Sequence, residues 1–277
     1  MRFNRYLECV LITVATVISS VSTAAPLEGR IVRDSYNEHA WEFNPQIFIA
    51  HPNNPLIGNP EPVSVLDFNL RLSYYGERFF FDDAIGYTLF QNEQYMFNLL
   101  ASPTEDFILF DKDFFKTGDV PALAGLDSRK MSINGGVELL VDGSWGDIAL
   151  QIQTDLLGIH TGHIVDIAYA YSFYSGKWVV RPQIGMVWKS DNYVDYYYGV
   201  SPSEASAILP AYTANSALNT YFFLETRYQL FPSWNLIAGY YIQKADDSIA
   251  NSPLLIRDNY EDVYVGIEWI KPFSIQF

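Results

Sequence analysis

The chain is built from short segments in which apolar and polar residues alternate one by one. In residues 65–75, apolar or aromatic side chains occupy every even position, and polar side chains occupy Asp67, Asn69, Arg71 and Ser73. A period of two places successive side chains on opposite faces of a β-strand. One face of such a strand therefore meets an apolar environment, and the other face meets a polar one.

Eleven segments carry this pattern. They lie at residues 39–50, 65–75, 79–90, 94–101, 131–141, 147–156, 164–174, 178–189, 220–230, 234–243 and 260–271. Of all residues 49% are hydrophobic and 16% aromatic, yet beyond the N-terminal segment no stretch approaches the roughly 18 uncharged apolar residues of a membrane helix. Closed barrels are the other structure that satisfies every backbone group in lipid. We therefore predict an all-β fold, a transmembrane antiparallel β-barrel.

The C-terminal segment, Asp262 to Phe277, is typical of the closing strand of such a barrel. Apolar side chains recur there at every second position, with an interruption at Lys271-Pro272, and the chain ends on an aromatic residue. Either Phe273 ends the membrane strand and a short tail follows, or the strand is bulged at Pro272. We predict that Phe273 and Phe277 carry the assembly signal that directs insertion into the outer membrane.

The N-terminus has the pattern of a secretory signal peptide. Two arginines precede the apolar run Val10–Val21, and Ser22-Thr23-Ala24 forms a small-x-small cleavage site. We predict a signal peptide over residues 1–24 and an outer-membrane barrel over residues 25–277, in a Gram-negative bacterium. The one cysteine lies inside the signal segment. Disulfides and cysteine-ligated metals are thereby excluded from the mature chain.

Strand parity fixes the predicted topology. Bacterial single-chain barrels have an even number of strands and keep both termini in the periplasm. Counting back from a periplasmic C-terminus places the long connections 102–130, 190–219 and 244–259 outside the cell. The count then requires one further strand before the first segment, for which residues 29–35 are the candidate. We predict twelve strands, or ten if the weak early segments merge, with residues 51–62 forming a long periplasmic turn.

The net charge of the chain and the positions of its tryptophans agree with a location in the outer membrane. The chain has 17 basic and 32 acidic residues and a net charge of −15, which argues against binding to nucleic acid phosphates. The expected surroundings are outer-membrane lipid and lipopolysaccharide. The six tryptophans lie near strand ends, where amphipathic rings form aromatic girdles at the headgroup level. They are Trp41, Trp145, Trp178, Trp188, Trp234 and Trp269.

One motif carries a family resemblance. The sequence DYYYGVSPSEA at residues 195–205, followed by LPAY at residues 209–212, is similar to the signature of the MltA-interacting protein family, also called MipA/OmpV. The signature positions are Tyr196, Tyr197, Tyr198, Gly199, Val200, Pro202, Glu204, Pro210 and Tyr212. Other segments match the family in the same order, from residues 123–129 through 145–146, 160–162, 247–248 and 252–253 to 266–269. The resemblance therefore covers most of the mature chain, and it departs from the family pattern at the C-terminus.

The resemblance implies an outer-membrane scaffold that holds a lytic transglycosylase and a peptidoglycan synthase together at the cell envelope. A partner on the periplasmic side would meet the inner turns, such as Asp142–Ser144 or Phe231–Ser233. Adhesion and osmotic or antibiotic response also occur in the family. A narrow channel is the alternative from strand number, because eight strands fill with side chains and about 16 to 18 leave an aqueous channel.

The signature loop also has a local interpretation. Ser201 and Glu204 have the spacing of a capping box with Pro202 at the first helical position, which predicts a short helix over Pro202–Ala207. The tyrosines before this helix and Pro210 after it are expected to hold it against the barrel rim. The loop is then either a recognition element or a self-packed cover over the barrel mouth.

Catalytic chemistry is disfavoured by the sequence. His160 and His163 lie in a predicted extracellular turn with Asp155 and Asp166 nearby, a set that could bind a metal weakly or supply a base. However, no serine lies in a nucleophile-elbow context and no third ligand is placed by spacing. We therefore predict no catalytic residue, no cofactor and no metal site, and an outer-membrane hydrolase is the least favoured function.

Overall fold

The computed structural model describes one closed antiparallel sheet. It covers residues 40–274 except 54, 58–63, 105, 107–122 and 124. The predicted signal peptide, the candidate strand at residues 29–35 and Phe277 lie outside the described residues. Within the described part of the chain, no helix is long and apolar enough to cross a membrane.

Fourteen strands form the sheet in the described residues. They are β1 (Ala40–Ala50), β2 (Val65–Tyr75), β3 (Phe79–Asp82), β4 (Ala84–Gln91), β5 (Tyr95–Pro103), β6 (Ile133–Gly143), β7 (Gly146–Asp155), β8 (His163–Ala170), β9 (Phe173–Ser175), β10 (Trp178–Lys189), β11 (Ala217–Phe231), β12 (Trp234–Lys244), β13 (Asn259–Trp269) and β14 (Lys271–Ser274). Strands β8 and β9 both pair with β10, and β13 and β14 both pair with β1, which closes the sheet. Each of these pairs is one interrupted strand of the wall, so the barrel has twelve strands, as predicted.

The segment at residues 79–90, predicted as one strand, forms two strands, β3 and β4, and this supplies the twelfth strand. Residues 79–90 contain a reversal, because β3 and β4 pair with each other and Asp82 lies opposite Ala84. Asp83 at the tip has a left-handed backbone, with φ of 55°. Paired residues on the two strands have the same parity, so the apolar face continues unchanged through the reversal. An alternating pattern therefore cannot reveal this turn, and no strand before β1 is needed for an even count.

Contacts inside the barrel hold this reversal. Arg71 donates two hydrogen bonds of 2.7 Å to the carboxylate of Asp82, and the hydroxyl of Tyr75 donates to the same carboxylate. The ring of Phe80 lies over Gly86, where an added Cβ would come within 2.0 Å of the ring. A larger residue at position 86 would displace that ring.

The extra strand also moves one connection to the other side of the membrane. The described residues between β1 and β2 lie at the same end of the barrel as the long connections, because Asn53 pairs with Glu261 and Leu56 pairs with Leu255. The predicted long periplasmic turn at 51–62 is therefore wrong. In the described residues, the opposite end of the barrel carries short turns, which is the usual periplasmic arrangement.

Side chains alternate between the lipid face and the interior as the sequence predicts. Outward residues are apolar and exposed, as at Leu66 (75% exposed), Ile184 (56%) and Ile152 (48%), whereas the inward Glu138 (0%) is buried. Aromatic contacts follow the strand ends, and the ring of Trp145 stacks on Tyr169 with centroids 6.4 Å apart. This arrangement matches the predicted aromatic girdle.

Large side chains pack along the inner face of the barrel wall. Glycines make room for large rings on the neighbouring strand: an added Cβ at Gly185 would lie 2.3 Å from Tyr221, and one at Gly239 would lie 2.2 Å from Tyr264. Glu138 accepts hydrogen bonds of 2.8 Å from Asn98 and Gln151. The buried apolar cluster at this level contains Met96, Leu140, Ala149, Ala168, Ala170 and Tyr221. The described inner face therefore carries both packed apolar side chains and hydrogen-bonded polar side chains.

Strand β14 continues the closing strand through Pro272 to Ser274. Phe273 lies opposite Trp41, and Ser274 lies opposite Ala40. Deleting Phe273–Phe277 is expected to leave the protein in the periplasm, where it would be degraded, because part of β1 would lose its partner and unpaired backbone groups are costly in lipid. Immunoblots of separated membrane fractions would measure this effect.

The exchange of Gln276 for Ala is the matched control for that deletion, since it keeps both aromatic residues. The control is expected to reach the outer membrane in normal amount. Normal amounts of the truncated protein there would contradict the prediction and would place the assembly signal within Val263–Ile270.

Candidate functional site: the extracellular lid

Extracellular loops pack together over one end of the barrel. Their buried apolar residues form a single cluster, and we call the loops that contribute to it the lid. The cluster consists of Leu123, Leu126, Tyr193, Val194, Tyr197, Tyr198, Val200, Leu209, Ala214, Ala217, Ile249 and Leu254. Leu56 and Ile57 of the first extracellular loop pack against it. The signature loop packs against its neighbours, the arrangement expected of a self-packed cover over the barrel mouth.

The helix of the signature loop lies earlier than predicted. Helix α1 spans Asp191–Tyr198, with Ser190 at its N-cap and Gly199 at its C-cap. The predicted helix over Pro202–Ala207 is wrong, because the chain there makes a single turn. The side chain of Glu204 does accept from the Ser201 N–H at 2.9 Å, as in a capping box. The other carboxylate oxygen of Glu204 binds a neighbouring loop, and the chain turns away from a helical path.

The signature tyrosines tie helix α1 to the loop at residues 104–132. The backbone N–H of Lys130 donates to the hydroxyl of Tyr196 at 3.0 Å, and the hydroxyl of Tyr197 donates to the Lys130 carbonyl at 3.0 Å. Tyr197 and Tyr198 are fully buried. The tyrosines therefore belong to helix α1 itself and bind it to this loop, whereas the prediction had them hold a helix at Pro202–Ala207 against the barrel rim.

A buried ion pair joins the lid to the barrel wall. Lys189, the last residue of β10, lies 2.9 Å from the carboxylate of Asp106, and both side chains are almost completely buried. The hydroxyls of Tyr193 and Tyr198 donate to the same carboxylate. Burial raises the pKa of both tyrosines well above the ordinary value of 10. Both hydroxyls therefore stay protonated and remain donors.

A second ion pair holds the turn of the signature loop. Arg129 lies 2.9 Å from Glu204, and it also donates to the carbonyl of Gly199 at 2.9 Å. Burial raises the pKa of Glu204, but hydrogen bonds from Arg129 and from the N–H groups of Asp127 and Ser201 lower it to about 2. Because this value is below the ordinary 4.5, Glu204 stabilises the lid above about pH 4.5 and loses that effect as the pH falls towards 2.

The remaining signature residues have smaller roles in the lid. Val200 and Tyr212 form an isolated β-bridge with hydrogen bonds of 2.8 and 2.9 Å, and the Tyr212 hydroxyl donates to the Ser248 carbonyl at 2.8 Å. Pro202 and Pro210 are exposed. No local pattern in the sequence marks Asp106, whereas alternation along its segment places Lys189 on the inward face at the end of β10.

The structure does not assemble the histidine and aspartate residues into a catalytic set. The Asp155 carboxylate accepts backbone N–H groups of its own loop, including those of His160 and Thr161. Asp166 lies inside the barrel and accepts from the Tyr221 hydroxyl at 3.1 Å. His163 is exposed at the start of β8. Among the described residues, no three His, Cys, Asp or Glu side chains group together in a way that could hold a metal ion.

The opposite end of the barrel presents exposed aromatic residues. We call the turns at this end the periplasmic rim; they comprise residues 76–78, 92–94, 144–145, 176–177 and 232–233, with the strand ends beside them. Tyr174 is 73% exposed, Phe231 65% and Phe173 56%. Strand β11 reaches Phe231 before it turns into β12. The predicted inner turns Asp142–Ser144 and Phe231–Ser233 both lie on this rim.

Comparisons with known proteins agree with the resemblance seen in the sequence. The family model described as MltA-interacting protein MipA matches residues 60–270. The chain is 27% identical over 224 residues to the putative outer membrane protein YiaT of Escherichia coli strain K12, covering 79% of this chain and 87% of that protein. It is 25% identical over 224 residues to the MltA-interacting protein of the same strain, covering 80% and 86%. Among solved structures, the NanC porin matches with a TM-score of 0.42 and 10% identity, over 82% of this chain and 98% of the porin.

Proposed function

Because the chain belongs to the family of the MltA-interacting protein MipA, we propose that it is an outer-membrane scaffold whose periplasmic rim binds murein enzymes. One relative is named for its interaction with MltA. The proposed partners are a lytic transglycosylase, bound directly, and a peptidoglycan synthase held in the same complex. The barrel itself performs no chemistry in this proposal.

The packing of the lid and the interior carries the proposal. Helix α1 and the loops around it form a buried core over the extracellular end, and the described inner face carries an apolar cluster and hydrogen-bonded polar residues. Such a barrel is better suited to present a surface than to conduct solutes. A periplasmic enzyme can reach the rim, where Tyr174 and Phe231 expose large aromatic surfaces.

Exposed aromatic residues are the kind that dominate protein interfaces. We expect Tyr174→Ala to weaken binding of a purified lytic transglycosylase by at least about tenfold, the effect of losing one interface anchor of roughly 1.4 kcal/mol. Binding would be measured with the barrel in lipid nanodiscs by surface plasmon resonance.

The matched control for this substitution is Ile208→Ala. Ile208 is 61% exposed on the lid, a fraction similar to that of Tyr174 but at the other end of the molecule. We expect the control to bind like the unmodified protein. No association under any detergent or lipid condition, together with measurable single-channel conductance, would overturn the scaffold proposal in favour of a narrow channel.

A further inference from the structure

His160 lies buried at the junction of three extracellular elements and is 3% exposed. Its Nδ1 accepts a hydrogen bond of 3.0 Å from the Gly162 N–H. Its Nε2 lies 3.0 Å from Oδ1 of Asn134, whose amide group donates in turn to Thr104 at 2.9 Å. A ring nitrogen that accepts from an N–H carries no proton, so the hydrogen of this imidazole must be on Nε2. The observed contacts therefore fit the neutral ring.

The ring also packs directly against helix α1. The centroid of the His160 ring lies 4.7 Å from that of Tyr193 and 5.6 Å from that of Tyr197. Tyr193 connects onward to the Asp106 carboxylate at 3.0 Å. His160 thus contacts the same helix that the buried ion pair of Lys189 holds, and the stability of the lid depends on both.

Protonation would disrupt these contacts. A second proton on Nδ1 would point at the Gly162 N–H, so that two donors would face each other and the amide would lose its acceptor. Burial lowers the pKa of His160 below its ordinary value of 6.5, and the positive charges of Lys189 and His163 lower it further, while Asp155 and Asp106 oppose this shift. The buried site therefore disfavours the imidazolium that a loosened, solvated lid would accept.

We propose that His160 is an acid-sensitive latch: the neutral ring holds helix α1 in the closed lid, and protonation in an acidic medium releases it. The direction follows from linkage, since an opened lid binds more protons than the closed one. The closed lid is therefore fully stable above about pH 6.5 and weakens as the pH falls below this value. This latch is independent of the periplasmic scaffold role.

Hydrogen exchange of the barrel in nanodiscs tests the latch. We expect exchange of the α1 amides, corrected for the intrinsic pH dependence, to rise severalfold between about pH 7.5 and about pH 5. His160→Gln, which cannot be protonated, is expected to remove this rise. His163→Gln is the matched control, because His163 is exposed on the same loop end, and it is expected to keep the rise.

Imidazole NMR of the unmodified protein provides a second measurement if His160→Gln loosens the lid at every pH. We expect the His160 ring to carry its proton on Nε2 at about pH 7.5, and its titration to have the same midpoint as lid exchange. The proposal is overturned if lid exchange does not depend on pH, if the lid opens while His160 stays neutral, or if His163→Gln abolishes the response.

Discussion

Replacement of Lys189 by methionine is expected to destabilise the closed lid by about 3–5 kcal/mol, the usual cost of removing one partner of a buried ion pair. The carboxylate of Asp106 would remain buried, with the hydroxyls of Tyr193 and Tyr198 as its described donors. The wall should stay closed, because strand β10 keeps its backbone pairing with β8 and β11. Hydrogen exchange would show loss of protection in helix α1 with unchanged protection in the strands.

A double variant separates this ion pair from simple loss of packing. Lys189→Met combined with Asp106→Asn removes both charges and keeps an acceptor oxygen for the hydroxyls of Tyr193 and Tyr198. We expect the double variant to recover much of the protection that the single variant loses. Equal loss in both variants would show that the charge left on Asp106 is not the cause.

Arginine on the lipid face is expected to have the second large effect. Leu150→Arg or Ile167→Arg should destabilise the folded barrel by about 2–4 kcal/mol, the cost of a cation near the middle of the bilayer. These two residues lie opposite each other on β7 and β8. Unfolding titrations in lipid vesicles would measure the difference in free energy.

The control for Leu150→Arg is Gln151→Arg, because Gln151 is the next residue of β7 and faces the interior of the barrel. Gln151 donates to Glu138 at 2.8 Å, so an arginine there would have a carboxylate partner and should cost much less. Ala168 also faces inward, as predicted, but it is buried in the interior cluster, and an arginine at that position would clash. Equal penalties at Leu150 and Gln151 would contradict the assigned faces.

The sequence was sufficient to predict the wall of the barrel because each strand has its own alternation. Strands β2 and β10 have the predicted bounds, 65–75 and 178–189. The reversal at Asp83 escaped prediction because it preserves parity. Missing this reversal also placed the connection between β1 and β2 on the wrong side of the membrane. One unrecognised turn therefore explains both the missing strand boundary and the wrong placement of that connection.

The lid could not be predicted in the same way. Its anchor joins Asp106 to Lys189, which are 83 positions apart in the chain, and no local pattern encodes such a contact. The capping-box spacing at Ser201 and Glu204 suggested a helix, but Arg129 binds the same glutamate from another loop. Local propensity was thus overridden by contacts between loops.

Photo-crosslinking in living cells tests the scaffold account most directly. A photoreactive amino acid would replace Tyr174 on the periplasmic rim or, in a second strain, Ile208 on the lid; the two positions are 73% and 61% exposed. If the protein is a scaffold, a lytic transglycosylase is expected to crosslink to the Tyr174 position and not to the Ile208 position. Products from the Ile208 position alone, or no product from either position in a barrel that conducts ions, would contradict it.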